Sequence, residues 1–144
     1  MRGLLDVNVL IALFDQDHIF NDKAHDWLDA HKKAGIATCP LTENGLIRIL
    51  SNPSYSKQIQ LSPAEVIDRL ARFVSSHNHE FFPDNLSLRT SGFFDPEAIL
   101  RSKQITDIYL LGLAVQHQAC LVTFDGKVPL AAVCGATSDH LVEI

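Results

Sequence analysis

Residues 3–14 read GLLDVNVLIALF, and the reading of this run decides the fold. Its opening residues are apolar and few, and Asp6 ends them, the pattern of a short buried strand. Residues 8–14 then read as a helix entered through Asp6-Val7-Asn8. Acids are seldom buried without a partner. A carboxylate set between two apolar runs therefore raises the question of what else stands at the end of that strand.

The same alternation continues outward. NDKAHDWLDAHKKA (21–34) predicts a helix with Lys32 and Lys33 in its last turn and Gly35 as its stop. Residues 36–39 predict a second strand, and LTENGLIRIL (41–50) a helix despite Gly45. Ser62-Pro63-Ala64-Glu65 is a strong helix start, with a Ser cap, Pro at the first position and Glu three residues after the cap. Residues 80–82 predict a third strand, 84–94 a loop or frayed helix, and 96–102 a short helix. Thr106 is expected to cap a helix from Asp107 to about His117, followed by strands at 119–123 and 140–144. Strands separated by helical patterns imply βαβ units and a parallel sheet. No linker or repeat divides the chain, so residues 1–144 are expected to form one domain.

The chain has 144 residues, 47% hydrophobic and 20% charged, which fits a globular protein with its own core. No apolar run reaches the ~20 residues that span a bilayer. Residues 9–14 are flanked by Asp6, Asp15 and Asp17, a poor match to a signal peptide, so a cytoplasmic location is expected. Three cysteines without a CxxC spacing fit free thiols, with Cys39 and Cys120 in apolar stretches. A net charge of −5 argues against a generally basic nucleic-acid coat, while leaving room for a local basic patch beside an acidic centre.

In open α/β sheets the ligand site lies beyond the carboxyl ends of the strands. Asp6 ends the first strand, and Asp125 lies two residues past the fourth. Glu43 and Asp107 lie in first helical turns, Glu43 after the second strand and Asp107 before the fourth; if the latter helix begins near the same edge, four carboxylates converge there. Taken singly, each acid has an ordinary role: Asp6 and Asn8 as helix caps, Glu43 and Asp107 as first-turn acids, Asp125-Gly126 as a turn pair. Taken together, four carboxylates at one edge call for a cation. Oxygen donors suit Mg²⁺ or Mn²⁺, which activate water and stabilise charge on a phosphoryl group. That points to metal-dependent phosphodiester hydrolysis. Gly126 is expected to give the Asp125 turn more freedom than a helix terminus has.

Four segments make the pattern specific. In order, LLDVNVLIALF, LTENGLIRILSNP, ITDIYLLGLAVQH and LVTFDGKV resemble the motif segments of PIN-domain nucleases, closest to VapC-type toxins of toxin–antitoxin pairs. The resemblance spans residues 3 to about 128. It implies a three-layer α/β/α sandwich around a central parallel sheet of about five strands. It makes Asp6, Glu43, Asp107 and Asp125 the catalytic, metal-binding acids, and Asn8, Asn44 and Thr123 their polar neighbours. It further implies an RNA endonuclease that uses Mg²⁺ or Mn²⁺, an antitoxin that inhibits it, and a homodimer.

The rival readings are a phosphatase using Asp6 as nucleophile and a catalytically inactive PIN-fold module that binds RNA or protein. The first wants D-x-D where this chain has Asp6-Val7-Asn8, and the presence of all four acids speaks against the second. No HExxH, GxGxxG, GxxxxGK[ST] or GxSxG motif is present. His77-x-His79, the one close histidine pair, is expected to be solvated. Arg48, Lys103 and Lys127 lie near the motifs and are candidates for gripping phosphate, with surface ion pairing as their ordinary alternative.

Overall fold

The computed structural model describes residues 1–144. Its centre is a parallel sheet of five strands: β1 (Gly3–Leu5), β2 (Ile36–Thr38), β3 (His79–Phe81), β4 (Cys120–Thr123) and β5 (Leu141–Glu143). Their order in space is β3-β2-β1-β4-β5, every neighbouring pair being parallel. The chain builds outward from β1 on one side, then crosses back and continues from β4 on the other. The order therefore reverses at the β1–β4 seam, where Leu5 pairs with Val122. Such a switch point opens a crevice at the carboxyl ends of the strands.

Strand alternation divides the core in two. Leu5, Ile36, Cys120 and Val122 face a layer made of α1 (Val7–Phe14), α2 (Asn21–Ala30), α3 (Pro40–Leu50) and α4 (Pro63–Ser75). Leu4, Ala37 and Leu121 face the opposite layer, where α5 (Ile105–Gln116) packs with Phe82, Phe94 and Val133. The sandwich is thus uneven: four helices cover one face, while one helix and the irregular segment 84–104 cover the other.

Most expected elements form, and the departures have local causes. Helix α2 ends at Ala30, so Lys32 and Lys33 fall in the turns beyond it rather than in its last turn. The β2 strand ends at Thr38, and Cys39 and Pro40 already begin α3. Helix α3 tolerates Gly45 because a Cβ there would meet Val7 Cγ2 at 2.8 Å; the missing side chain lets α1 lie close. Ser62 caps α4 as expected, accepting the Glu65 N–H at 3.2 Å. Residues 96–102 do not form one helix but lie across two separate 3₁₀ turns, Pro96–Ala98 and Ser102–Gln104. The second turn runs directly into α5, so that helix starts at Ile105 and Thr106 lies inside it rather than capping it. Cys39 and Cys120 are buried free thiols, and Cys134 is exposed. No helix is long and apolar enough to cross a membrane.

Candidate active site

Asp6 extends the ladder of β1 by one bond, its N–H donating to Val122 O at 3.0 Å, and so comes to lie beside the end of β4. Its side chain then turns to cap α1: Oδ1 accepts the Val7 N–H at 2.7 Å. Oδ2 accepts the Thr123 hydroxyl at 2.9 Å. Asp6 is 6% exposed and Thr123 1%. The same Thr123 Oγ1 accepts the Asp125 N–H at 3.1 Å, and Asp125 Oδ1 accepts the Lys127 N–H at 2.9 Å. One threonine thus ties Asp6 to the Asp125 turn across the switch point.

That turn also passes close to β5. A Cβ on Gly126 would collide with the Glu143 carboxylate at the end of β5, so Gly126 permits a close approach there. The hydrogen bonds on either side of Asp125 hold the turn in place.

Asp107 reaches the group from the first turn of α5. Its carboxyl is pushed up to about 6, first by burial and then by the charges of Asp6 and Asp125. Asp6 is also raised, by burial above all, with Asp125 adding to it; the Thr123 and Val7 hydrogen bonds pull the other way. Three aspartates therefore share one electrostatic neighbourhood, from three separate parts of the chain.

Glu43 stands in the first turn of α3 and is held by a different threonine. Thr38, the last residue of β2, donates its hydroxyl to Glu43 Oε1 at 2.6 Å. With that proton committed, Thr38 Oγ1 accepts from His79 Nε2, 2.8 Å away. Burial, and then the Arg2 charge, lowers the His79 pKa, which favours the neutral ring. His79 is thus half-buried and engaged rather than solvated. His77 binds Phe73 O instead, so the two histidines are not a pair of metal ligands. Asn8 and Asn44 are exposed and make no hydrogen bond to the acids. Lys103 and Lys127 line one cleft beside Asp107 and Asp125, while Arg48 is exposed on α3 outside it. None of these three cations forms an ion pair; those present join Arg2 to Glu80, Lys32 to Asp29 and Arg72 to Asp68.

A sequence model of the PIN domain matches residues 3–135. The chain belongs to the PIN-domain family. It is 44% identical to Ribonuclease VapC44 of Mycobacterium tuberculosis over all 144 residues, covering 100% of both chains. It is 39% identical to Ribonuclease VapC39 of the same organism, over 100% of this chain and 99% of that one. Its fold resembles a structure of VapBC2 from Rickettsia felis bound to a promoter DNA fragment. The TM-score is 0.55 at 19% identity, covering 88% of this chain and 90% of that one.

In this PIN domain no three His, Cys, Asp or Glu side chains are gathered into a ready-made metal cluster. The donor set nonetheless suits a hard divalent cation. It consists of carboxylate oxygens only; the charge of Asp125 adds to the raised proton affinity of Asp6, and those of Asp6 and Asp125 to that of Asp107, a repulsion that a bound cation relieves. Reasoning from sequence missed Thr38 and His79. The signal was available in part: Thr38 and Thr123 each end a strand at the edge where an acid stands.

Proposed function

We propose that this PIN domain is an endoribonuclease and the toxin of a toxin–antitoxin pair, cleaving RNA phosphodiester bonds at the β1–β4 switch point. The observation that carries the reading is that three separate parts of the chain bring Asp6, Asp107 and Asp125 into one neighbourhood, where the charge of Asp125 acts on Asp6 and those of Asp6 and Asp125 act on Asp107, with no cationic side chain ion-paired to them. The names of its relatives, each a ribonuclease matched over its whole length, support the reaction class.

Asp6, Asp107 and Asp125 are the residues that would hold Mg²⁺ or Mn²⁺, with Glu43, held by Thr38 in the first turn of α3, as the fourth acid expected from the motifs. A divalent cation bound there supplies an activated water and neutralises charge on the reacting phosphate. The chain's own part is positioning. Thr123 fixes the Asp6 Oδ2 direction and the Asp125 turn together, and Thr38 aims Glu43 with His79 behind it. Asp6 has both oxygens already committed to the fold, so its rotamer is set before any ligand arrives.

An antitoxin as protein partner, a homodimer and a cytoplasmic location belong to the same proposal, carried by the resemblance to VapC-type toxins. Expression tests the whole. Wild-type chain alone should arrest growth and fragment cellular RNA, and the Glu43→Gln chain should do neither. Equal growth at equal protein level, together with no Mg²⁺- or Mn²⁺-dependent cleavage of RNA by the purified wild-type chain, would overturn it.

A further inference from the structure

At Asp107 and Asp125 opens a cleft of about 350 Å³ that three cationic side chains also line. Arg101 and Lys103 enter it from the 3₁₀ turn ahead of α5, and Lys127 from the loop after β4. All three are exposed, and none has an acidic partner among the chain's ion pairs. The same cleft is bordered by Asp107 and Asp125, so it runs without a break into the acid centre. Gln104 also borders it, with its buried Oε1 lacking any hydrogen-bond partner in the protein. In a chain of net charge −5, three cations without an ion-pair partner gathered on one cleft are a local concentration of positive charge.

We propose that Arg101, Lys103 and Lys127 form a backbone-phosphate subsite that grips single-stranded RNA next to the phosphate presented to Asp107 and Asp125. The inference rests on the ribonuclease reading for its substrate, but it assigns a separate task to separate residues. Two segments far apart in sequence, 101–104 and 127, are brought together by the pairing of β4 into the sheet and by α5 packing behind it. The irregular segment before α5 thereby acquires a role that no motif in it announces. The chemistry expected of such a wall is charge neutralisation without base selectivity, because lysine and arginine contacts to phosphate position a strand rather than read it.

The test measures binding apart from cleavage. Asp6→Asn protein in EDTA is titrated with a short fluorescein-labelled single-stranded RNA of mixed sequence across a salt series. Each phosphate neutralised on a single strand contributes about −0.7 to the slope of log affinity against log salt. Adding Lys103→Gln and Lys127→Gln should weaken binding and flatten that slope by about 1.4. Lys103→Arg with Lys127→Arg should keep it. Lys33→Gln, in the turn before β2 at the opposite end of the strands, should leave it unchanged. An unaltered slope and affinity in the double Gln variant would overturn the subsite, and so would an equal loss in the Lys33→Gln control. The two readings fail separately. If wild-type chain cleaves RNA but the double Gln variant binds RNA like its parent, the subsite is wrong and the ribonuclease stands. If the double Gln variant loses binding while wild-type chain cleaves no RNA with any divalent cation, the subsite stands and the ribonuclease does not.

Discussion

Helix α1 begins and ends with a buried aspartate. Asp6 is 6% exposed and Asp15 7%, so burial does not distinguish them. Their surroundings do. Asp15 closes the C-terminal end of α1, where the helix dipole disfavours negative charge. The fold answers with the Tyr55 hydroxyl at 2.6 Å and the Asp17 N–H at 2.9 Å. Tyr55 in turn has its own pKa raised, by burial and by that carboxylate. Asp6 sits at the favourable N-terminal end and has comparable hydrogen bonds; its proton affinity is raised by burial above all, and a further carboxylate, Asp125, lies near enough to add to it. One acid has been satisfied by the fold. The other has been supplied with donors and then set against further acids. A buried carboxylate becomes a functional candidate through the like charges around it, not through burial.

The sharpest way to break this comparison is to neutralise both acids. Asp6→Asn should reduce RNA cleavage to background while the metal-free melting temperature stays level or rises, since a repulsion is removed. Asp15→Asn should keep cleavage and lose about 1–3 kcal/mol of stability through its disturbed hydrogen bonds. That loss amounts to a fall of about 2–4 °C for each kcal/mol in a chain of this size. Thermal melts and an RNA cleavage assay on the two variants suffice. If Asp15→Asn abolishes cleavage in a folded protein, the division between the two ends of α1 is wrong.

The donors can be exchanged next. Thr123→Val removes the hydroxyl that orients Asp6 and should cost about 10–100-fold in cleavage, as outer partners of metal ligands do. Tyr55→Phe removes the hydroxyl that satisfies Asp15. It should lower stability by about 1–2 kcal/mol and leave cleavage near wild type. Equal effects of the two changes on cleavage would mean that the acids are not separated by role.

The smallest expected effect lies in pH. Asp107 is pushed up to about 6 in the folded chain from an ordinary value of 3.8. A raised folded pKa means that the folded state holds the proton more tightly. The associated stability is complete below about pH 4 and is lost as pH rises through about 6. In EDTA, the melting temperature of Asp107→Asn relative to wild type should therefore climb between these values and then level off. Mg²⁺ at pH 7 should shrink the difference by stabilising the wild-type chain. A difference that is flat with pH would remove the electrostatic account of the cluster.

Much of this was legible in order along the chain. The strand–acid–helix run at 3–14, the Ser62-Pro63 helix start and the placing of each acid at the end of a strand or the start of a helix all follow from local rules. Each depends on neighbours within a few residues. The weaker readings share a cause. Local rules make Thr106 the cap of α5, whereas the 3₁₀ turn at Ser102–Gln104 leads directly into the helix and leaves Thr106 inside it. Residues 96–102 have no strong period, and they take their shape from packing over α5 and the antiparallel bridge of Phe94 to Val133.

The sequence by itself determined which residue types stand at the carboxyl edge of the sheet, because strand, cap and turn preferences act over a few residues. Only the tertiary structure decided their company. That Thr123 serves Asp6, Thr38 serves Glu43 and Arg101 joins Lys127 depends on which strands lie side by side. Sheet order is set by long-range packing of two apolar faces, and no local pattern encodes a contact between residues 117 positions apart.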